Sequence, residues 1–206
     1  MTDDAAPLTV GALVMAAGRS SRMGANKLLA DLGGRPVIAH VVDAVRDAGW
    51  PAPIVVTGHD AMAVERALAG RPAHFVSAPD HADGLSRSIL AGIAAIPADW
   101  DAVAICLGDM PLVRPETLRL LARHASRDAV LIPRHGGRRG NPALWGRSHL
   151  ERLGGIEGDK GGSALFAALG EALVELECDD EGVLIDVDTP ARLAQARAAF
   201  DKRTRP

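Results

Sequence analysis

The first apolar run, Leu8 to Met15 (LTVGALVM), stops at Ala16-Ala17-Gly18 and predicts a buried strand. A polar loop follows, GRSSRMGANK. From Pro36 to Ala48 the spacing changes: Val37, Ile38, Val41, Val42 and Val45 form one apolar stripe, which predicts a helix with proline near its start. Pro53 to Thr57 (PIVVT) predicts a second strand closed by Gly58. Asp60 suits the N-cap of a helix running through Leu68. Ala73 to Ala78 (AHFVSA) predicts a third strand, Ser86 to Ile96 a helix, and Val103 to Leu107 an apolar strand ending in Gly108-Asp109. A helix over Pro115 to His124 and a strand in AVLIP come next. Strand and helix thus alternate through Pro133. That is the pattern of an α/β fold, a Rossmann-like, doubly wound, mostly parallel sheet with helices on both faces.

Beyond Pro133 the rhythm is lost. The stretch RHGGRRGNPALWGRSHLERLGGIEGDKGGSALF is rich in glycine and charge, with one strand expected at Asn141 to Trp145. ALVELEC and VLIDVD read as late strands, and Pro190 to Phe200 as a final alanine-rich helix. No repeat or linker interrupts the chain. Residues 1–206 therefore read as one domain, with βα units over 8–133 and an elaborated part over 134–200.

Composition narrows the function classes. Hydrophobic residues make up 48% and charged residues 24%, so a core of Ala, Val, Leu and Ile is expected. Aromatics are 3%, with no Tyr, which argues against a ring platform for stacking nucleic-acid bases. A net charge of -3 argues against a phosphate-backbone binder. Cys106 and Cys178 form neither a disulfide framework nor a CxxC pair. No apolar run approaches the ~20 residues of a membrane helix. Asp3 and Asp4 replace the basic start of a signal peptide, so the cytoplasm is the expected location.

In an open α/β sheet, ligands collect where the strands end. Three clusters sit there. In AAGRSSRMGANK, Ala16, Ala17 and Gly18 let a ligand approach the backbone, with Arg19 and Gly24 in the same loop. Arg22 and Lys27 add positive charge, which suits a nucleoside triphosphate. The loop is neither a Walker A motif nor GxGxxG. In LGDMP, Asp109 is either a ligand for Mg²⁺ or a turn residue before Pro111. In LIDVDTP, Asp186 and Asp188 stand two apart on an expected strand and so share a face. There, Asp188 or Thr189 serves equally well as a cap for the helix at Pro190. Gly84, Ser86 and Ser88 either contact a base or ribose or cap the next helix. Arg139 and Asn141, in GRRGNP, sit in a loop that suits a second anionic substrate, or is simply solvated. Cys106, His40, His59 and the three tryptophans read as structural residues.

Taken together, AAGRSSRMGANKLL, GDMPLV, GRRGNPALW, GDKGG and DVDTPARL resemble the nucleotidyltransferases of the molybdopterin cytidylyltransferase and guanylyltransferase type, from Val10 to about Leu193. The two-alanine start, NKLL and RRGNP are similar to the cytidylyl branch. The resemblance implies a nucleotide-diphospho-sugar-transferase-like fold with a partly antiparallel C-terminal part. It implies transfer of CMP from CTP to the terminal phosphate of a molybdopterin cofactor, with Mg²⁺ and release of pyrophosphate. The alternatives are GTP as donor, a sugar phosphate as acceptor, or a non-catalytic nucleotide-binding partner of a molybdoenzyme, such as one of the xanthine dehydrogenase type. In the family's terms, Ala16 to Gly18 line the base and ribose. Arg22 and Lys27 hold the triphosphate, Asp109 and Asp188 bind the metal, and Arg139, Asn141 and Asp159 face the acceptor. Ser163 stands where the family often has arginine, which removes one candidate phosphate contact.

Overall fold

The sheet is organised around a strand buried along its whole length. The computed structural model describes residues 8–18, 26–156, 158 and 161–204. In β1 (Val10–Ala16) all seven residues are buried. Its even positions Val10, Ala12, Val14 and Ala16 enter one core cluster, while Leu13 and Met15 enter the opposite one. That is the period of a strand covered on both faces. Truncating a wholly buried residue such as Leu13 to alanine costs about 2–5 kcal/mol.

Parallel neighbours flank β1 on both sides: β4 (Ile54–Thr57) and β6 (Ala102–Leu107). The full order is β10-β7-β9-β6-β1-β4-β5, with β5 (His74–Ser77), β7 (Val130–His135), β9 (Ala143–Gly146) and β10 (Leu173–Glu177). Only β9 runs against its neighbours in this path, pairing antiparallel with both β6 and β7. The short β8 (Arg138–Arg139) folds back on β7, and β2 (Asp31–Leu32) pairs β3 (Arg35–Pro36) in a separate ribbon.

Helices α1 (Val37–Asp47), α2 (Ala61–Ala67) and α4 (Pro115–Arg123) cover one face of the sheet. On the other lie α3 (Leu85–Ala94) and the turns around Leu150 and Leu153. A third cluster packs Leu32, Val37, Leu112, Ile185 and Val187 beneath α5 (Pro190–Thr204). No helix among the described residues is long and apolar enough to cross a membrane.

Two local expectations change. VLIDVD joins no ladder. Glu181–Leu184 is a 3-10 turn, and the residues after it run extended beside loops. Ile185 and Val187 are buried with Leu112 and α5, and Val183 is buried against Gly140, which explains their alternation without a strand partner. Asp60 precedes α2 but does not cap it: its φ is 57°, and its side chain makes no cap hydrogen bond. Its carboxylate takes the Asn26 side-chain amide at 3.4 Å instead.

Candidate active site

The ends of β1 and β6 stay together one residue past their parallel ladder. Gly108 N–H donates to the Met15 carbonyl at 3.0 Å. A Cβ at position 108 would lie 2.7 Å from that oxygen and 2.8 Å from Ile38, so only glycine fits. Asp109 therefore follows β6 directly beside the Ala16-Ala17-Gly18 end of β1.

Lys27 arrives from the other direction. Asn26 caps its 3-10 turn, the side-chain oxygen accepting Leu28 N–H at 3.1 Å. Leu28 is buried and lies next to the Gly108 position. Anchoring on both sides aims the Lys27 ammonium between Asp109 Oδ2 and Asp188 Oδ1, to which it donates.

Asp188 comes close to Asp109 through the backbone, since Val187 N–H donates to the Asp109 carbonyl at 2.9 Å. The helix α5 is capped by its neighbour: Thr189 Oγ1 accepts Arg192 N–H at 3.2 Å. Asp186 pairs with Arg192 at 3.5 Å. Asp188 is thus the carboxylate brought to the site.

The electrostatics agree from both partners. Burial pulls the Lys27 ammonium down, but the charges and hydrogen bonds of Asp109 and Asp188 outweigh it and leave it above its usual value. Burial lifts Asp109 above the usual carboxylate range; Lys27 opposes this, and Asp188 and Asp186 add to it. Both groups are raised, Asp109 chiefly by burial and Lys27 by its two carboxylates. Two hard carboxylate oxygens converging on one cationic point are the donor set that Mg²⁺ or Mn²⁺ takes, with phosphate oxygens completing the shell. Among the described residues no group of three or more His, Cys, Asp and Glu offers an all-protein metal cage.

The other expected residues divide. Arg19, Arg22, Gly24 and Asp159 lie outside the described residues. Ser86 and Ser88 are buried in α3, and Ser86 N–H donates to the Gly158 carbonyl at 3.1 Å. Gly84 sits against the same backbone, where a Cβ would come within 2.5 Å of Gly158. Arg139 is engaged on β10, its Nε and Nη2 donating to Glu175 Oε1 at 2.8 and 2.6 Å. Arg134 Nε lies 3.1 Å from the other oxygen of Glu175. Asn141 and Pro142 line a small apolar cavity with Val41, Cys106 and Met110. Cys106 is inert there, its thiol pushed up to about 12 by burial. His40 is structural: it is buried, with Nε2 2.8 Å from the Leu32 carbonyl.

Asn26 and Glu175 were not anticipated. Asn26 carries a local signal, an Asx residue two before the buried Leu28. Glu175 carries none, because its partners depend on strand order.

Residues 12–174 match the model of the MobA-like NTP transferase domain. The chain belongs to that family. A solved nucleotidyl transferase from Methanothermobacter is 31% identical, with a TM-score of 0.85, over 95% of this chain and 99% of that one. Rv0371c from Mycobacterium tuberculosis, solved in complex with manganese, is 25% identical with a TM-score of 0.79, over 93% and 99%. Among curated proteins, the bifunctional protein GlmU of Geobacter metallireducens is 32% identical over 125 residues, 59% of this chain and 26% of that protein. The chain thus spans about a quarter of the length of such curated relatives. Family and structural relatives together make this NTP transferase a nucleotidyltransferase enzyme.

Proposed function

We propose that this enzyme transfers CMP from CTP to the terminal phosphate of a molybdopterin-type cofactor and releases pyrophosphate. The observation that carries the reading is the Lys27 ammonium held between Asp109 and Asp188, beside the Ala16–Gly18 end of β1. The motifs around these residues, and the two-alanine start in particular, favour the cytidylyl donor and the molybdopterin acceptor.

Chemically, an acceptor phosphate oxygen bonds to the α-phosphorus while the bond to the bridging oxygen of pyrophosphate breaks. Both reactants are anions, so alignment and charge neutralisation dominate over acid–base work. Mg²⁺, held by Asp109 and Asp188, supplies charge neutralisation and orientation of phosphate oxygens when bound. Lys27 supplies a second positive charge from a buried, anchored turn, and Arg22 a third. Ala16, Ala17 and Gly18 leave room for base and ribose against the backbone, with Arg19, Gly24, Gly84, Ser86 and Ser88 completing the donor side. Arg139, Asn141 and Asp159 form the acceptor side. Residues 1–206 act as one domain, in the cytoplasm, serving a molybdoenzyme of the xanthine dehydrogenase type.

Pyrophosphate release tests this reading, with CTP, GTP, UTP and ATP each offered with molybdopterin and with sugar phosphates. CTP with molybdopterin is expected to be fastest. A clear preference for GTP overturns the donor assignment; turnover with sugar phosphates alone overturns the acceptor.

A further inference from the structure

Outside the Lys27 pair, one carboxylate gathers four hydrogen-bond donors, that of Asp180. Asp180 is only 2% exposed. Its Oδ2 accepts Arg114 N–H at 2.8 Å and the Thr117 hydroxyl at 2.7 Å. Its Oδ1 accepts Gly182 N–H at 3.0 Å and Arg203 Nη2 at 3.2 Å. A buried charge persists only when paired and hydrogen-bonded in this way.

The contacts around it have a register. Arg114 meets Asp180, Leu112 meets Gly182, and Asp109 meets Val187. At position 182 a Cβ would come within 2.0 Å of the Leu112 carbonyl, so glycine brings the backbones together. Arg203 Nη1 donates to that same carbonyl at 2.5 Å. Residue numbers rise on one side as they fall on the other. The Asp109–Arg114 loop and the Asp180–Asp188 segment therefore lie antiparallel, tied at one end by Asp180 and at the other by Val187 N–H to Asp109 O. Asp109 and Asp188 are the side chains at that second end.

We propose that Asp180 is a positioning residue for the two-carboxylate site, setting the register that places Asp188 beside Asp109. The proposal rests on the reading of those two carboxylates as a metal-binding pair. Asp180 touches neither substrate nor cation. It acts by holding one segment against the other, with Thr117 and Arg203 as its supports, as outer partners orient the ligands of a metal. An asparagine at 180 keeps the shape but removes the charge that four donors converge on.

Titration with Mn²⁺ alone, followed by electron paramagnetic resonance on the full chain, tests this without turnover. Asp180→Asn is expected to weaken Mn²⁺ binding about 10-fold and to lower kcat for pyrophosphate release by a similar factor. Thr117→Val, which removes one of the four donors, is expected to move both readouts severalfold in the same direction, and it decides the matter if Asp180→Asn does not fold. A role confined to stability would lower the melting temperature but leave Mn²⁺ affinity and kcat of the folded protein unchanged. That result, beside an Asp109→Asn control that loses Mn²⁺, would overturn the positioning role alone. A wild-type protein that binds no Mn²⁺ would overturn both the metal pair and the proposal built on it.

Discussion

Two ion clusters, one at the ends of the central strands β1 and β6 and one on the edge strand β10, have opposite balances. Around Lys27, two carboxylates share one ammonium among the described residues. Around Glu175, two guanidiniums share one carboxylate. The first is largely buried, with the Lys27 and Asp109 side chains 16% and 14% exposed; the second reaches solvent, with Arg139 at 52%. With two carboxylates to one ammonium among the described residues, the first suits a metal ion and the phosphates it carries. Rich in cations, the second suits an anionic acceptor, once Arg139 leaves Glu175. Burial also sets the scale. Charges out of water act strongly, and exposed pairs act weakly.

The largest break in this comparison is expected from Asp109→Asn, which should lower pyrophosphate release by about 100-fold or more with circular dichroism unchanged. Lys27→Met should follow at about 100-fold, since it removes the fixed charge proposed to neutralise the triphosphate. The pair Asp188→Asn and Asp186→Asn sharpens the picture within one segment. The first should cost about 10-fold or more in kcat, whereas the second, facing Arg192, should change it less than about twofold. Arg139→Ala should be milder, raising the acceptor KM severalfold while the donor KM and the melting temperature stay near wild type.

The smallest effect lies away from both clusters and depends on pH. Burial lowers the pKa of His40, and the Leu32 carbonyl only partly offsets this. The unfolded chain then takes up a proton near the ordinary value of about 6.5 before the folded one does. Stability contributed by neutral His40 is present above that pH and is lost as pH falls below it. Urea melts at a series of pH values should show that decline, and His40→Gln should flatten it.

The parallel half was legible because its strands are buried on both faces and say so in continuous apolar runs: β1, β4 and β6 fell within two residues of their expected positions. Asp109 was legible for the same reason, as the first carboxylate after such a run. The later part was harder. VLIDVD alternates like a strand, yet the Leu112 loop and α5 bury Ile185 and Val187, and Val183 packs against Gly140, instead of a ladder. The choice between Asp186 and Asp188 turned on one long-range backbone bond, from Val187 to Asp109, for which the local sequence holds no sign. Glu175 and Asp180 had no local sign because, Gly182 apart, their partners lie 23 to 66 residues away.

The central claim is that Lys27, Asp109 and Asp188 form the nucleotidyl-transfer site. It is tested most directly by pyrophosphate release from CTP, with Mg²⁺ and molybdopterin, in wild type beside Asp109→Asn, Asp188→Asn and Asp186→Asn. The account predicts near-wild-type turnover in Asp186→Asn, a fall of about 10-fold or more in Asp188→Asn and of about 100-fold or more in Asp109→Asn. Full activity in Asp109→Asn would contradict it.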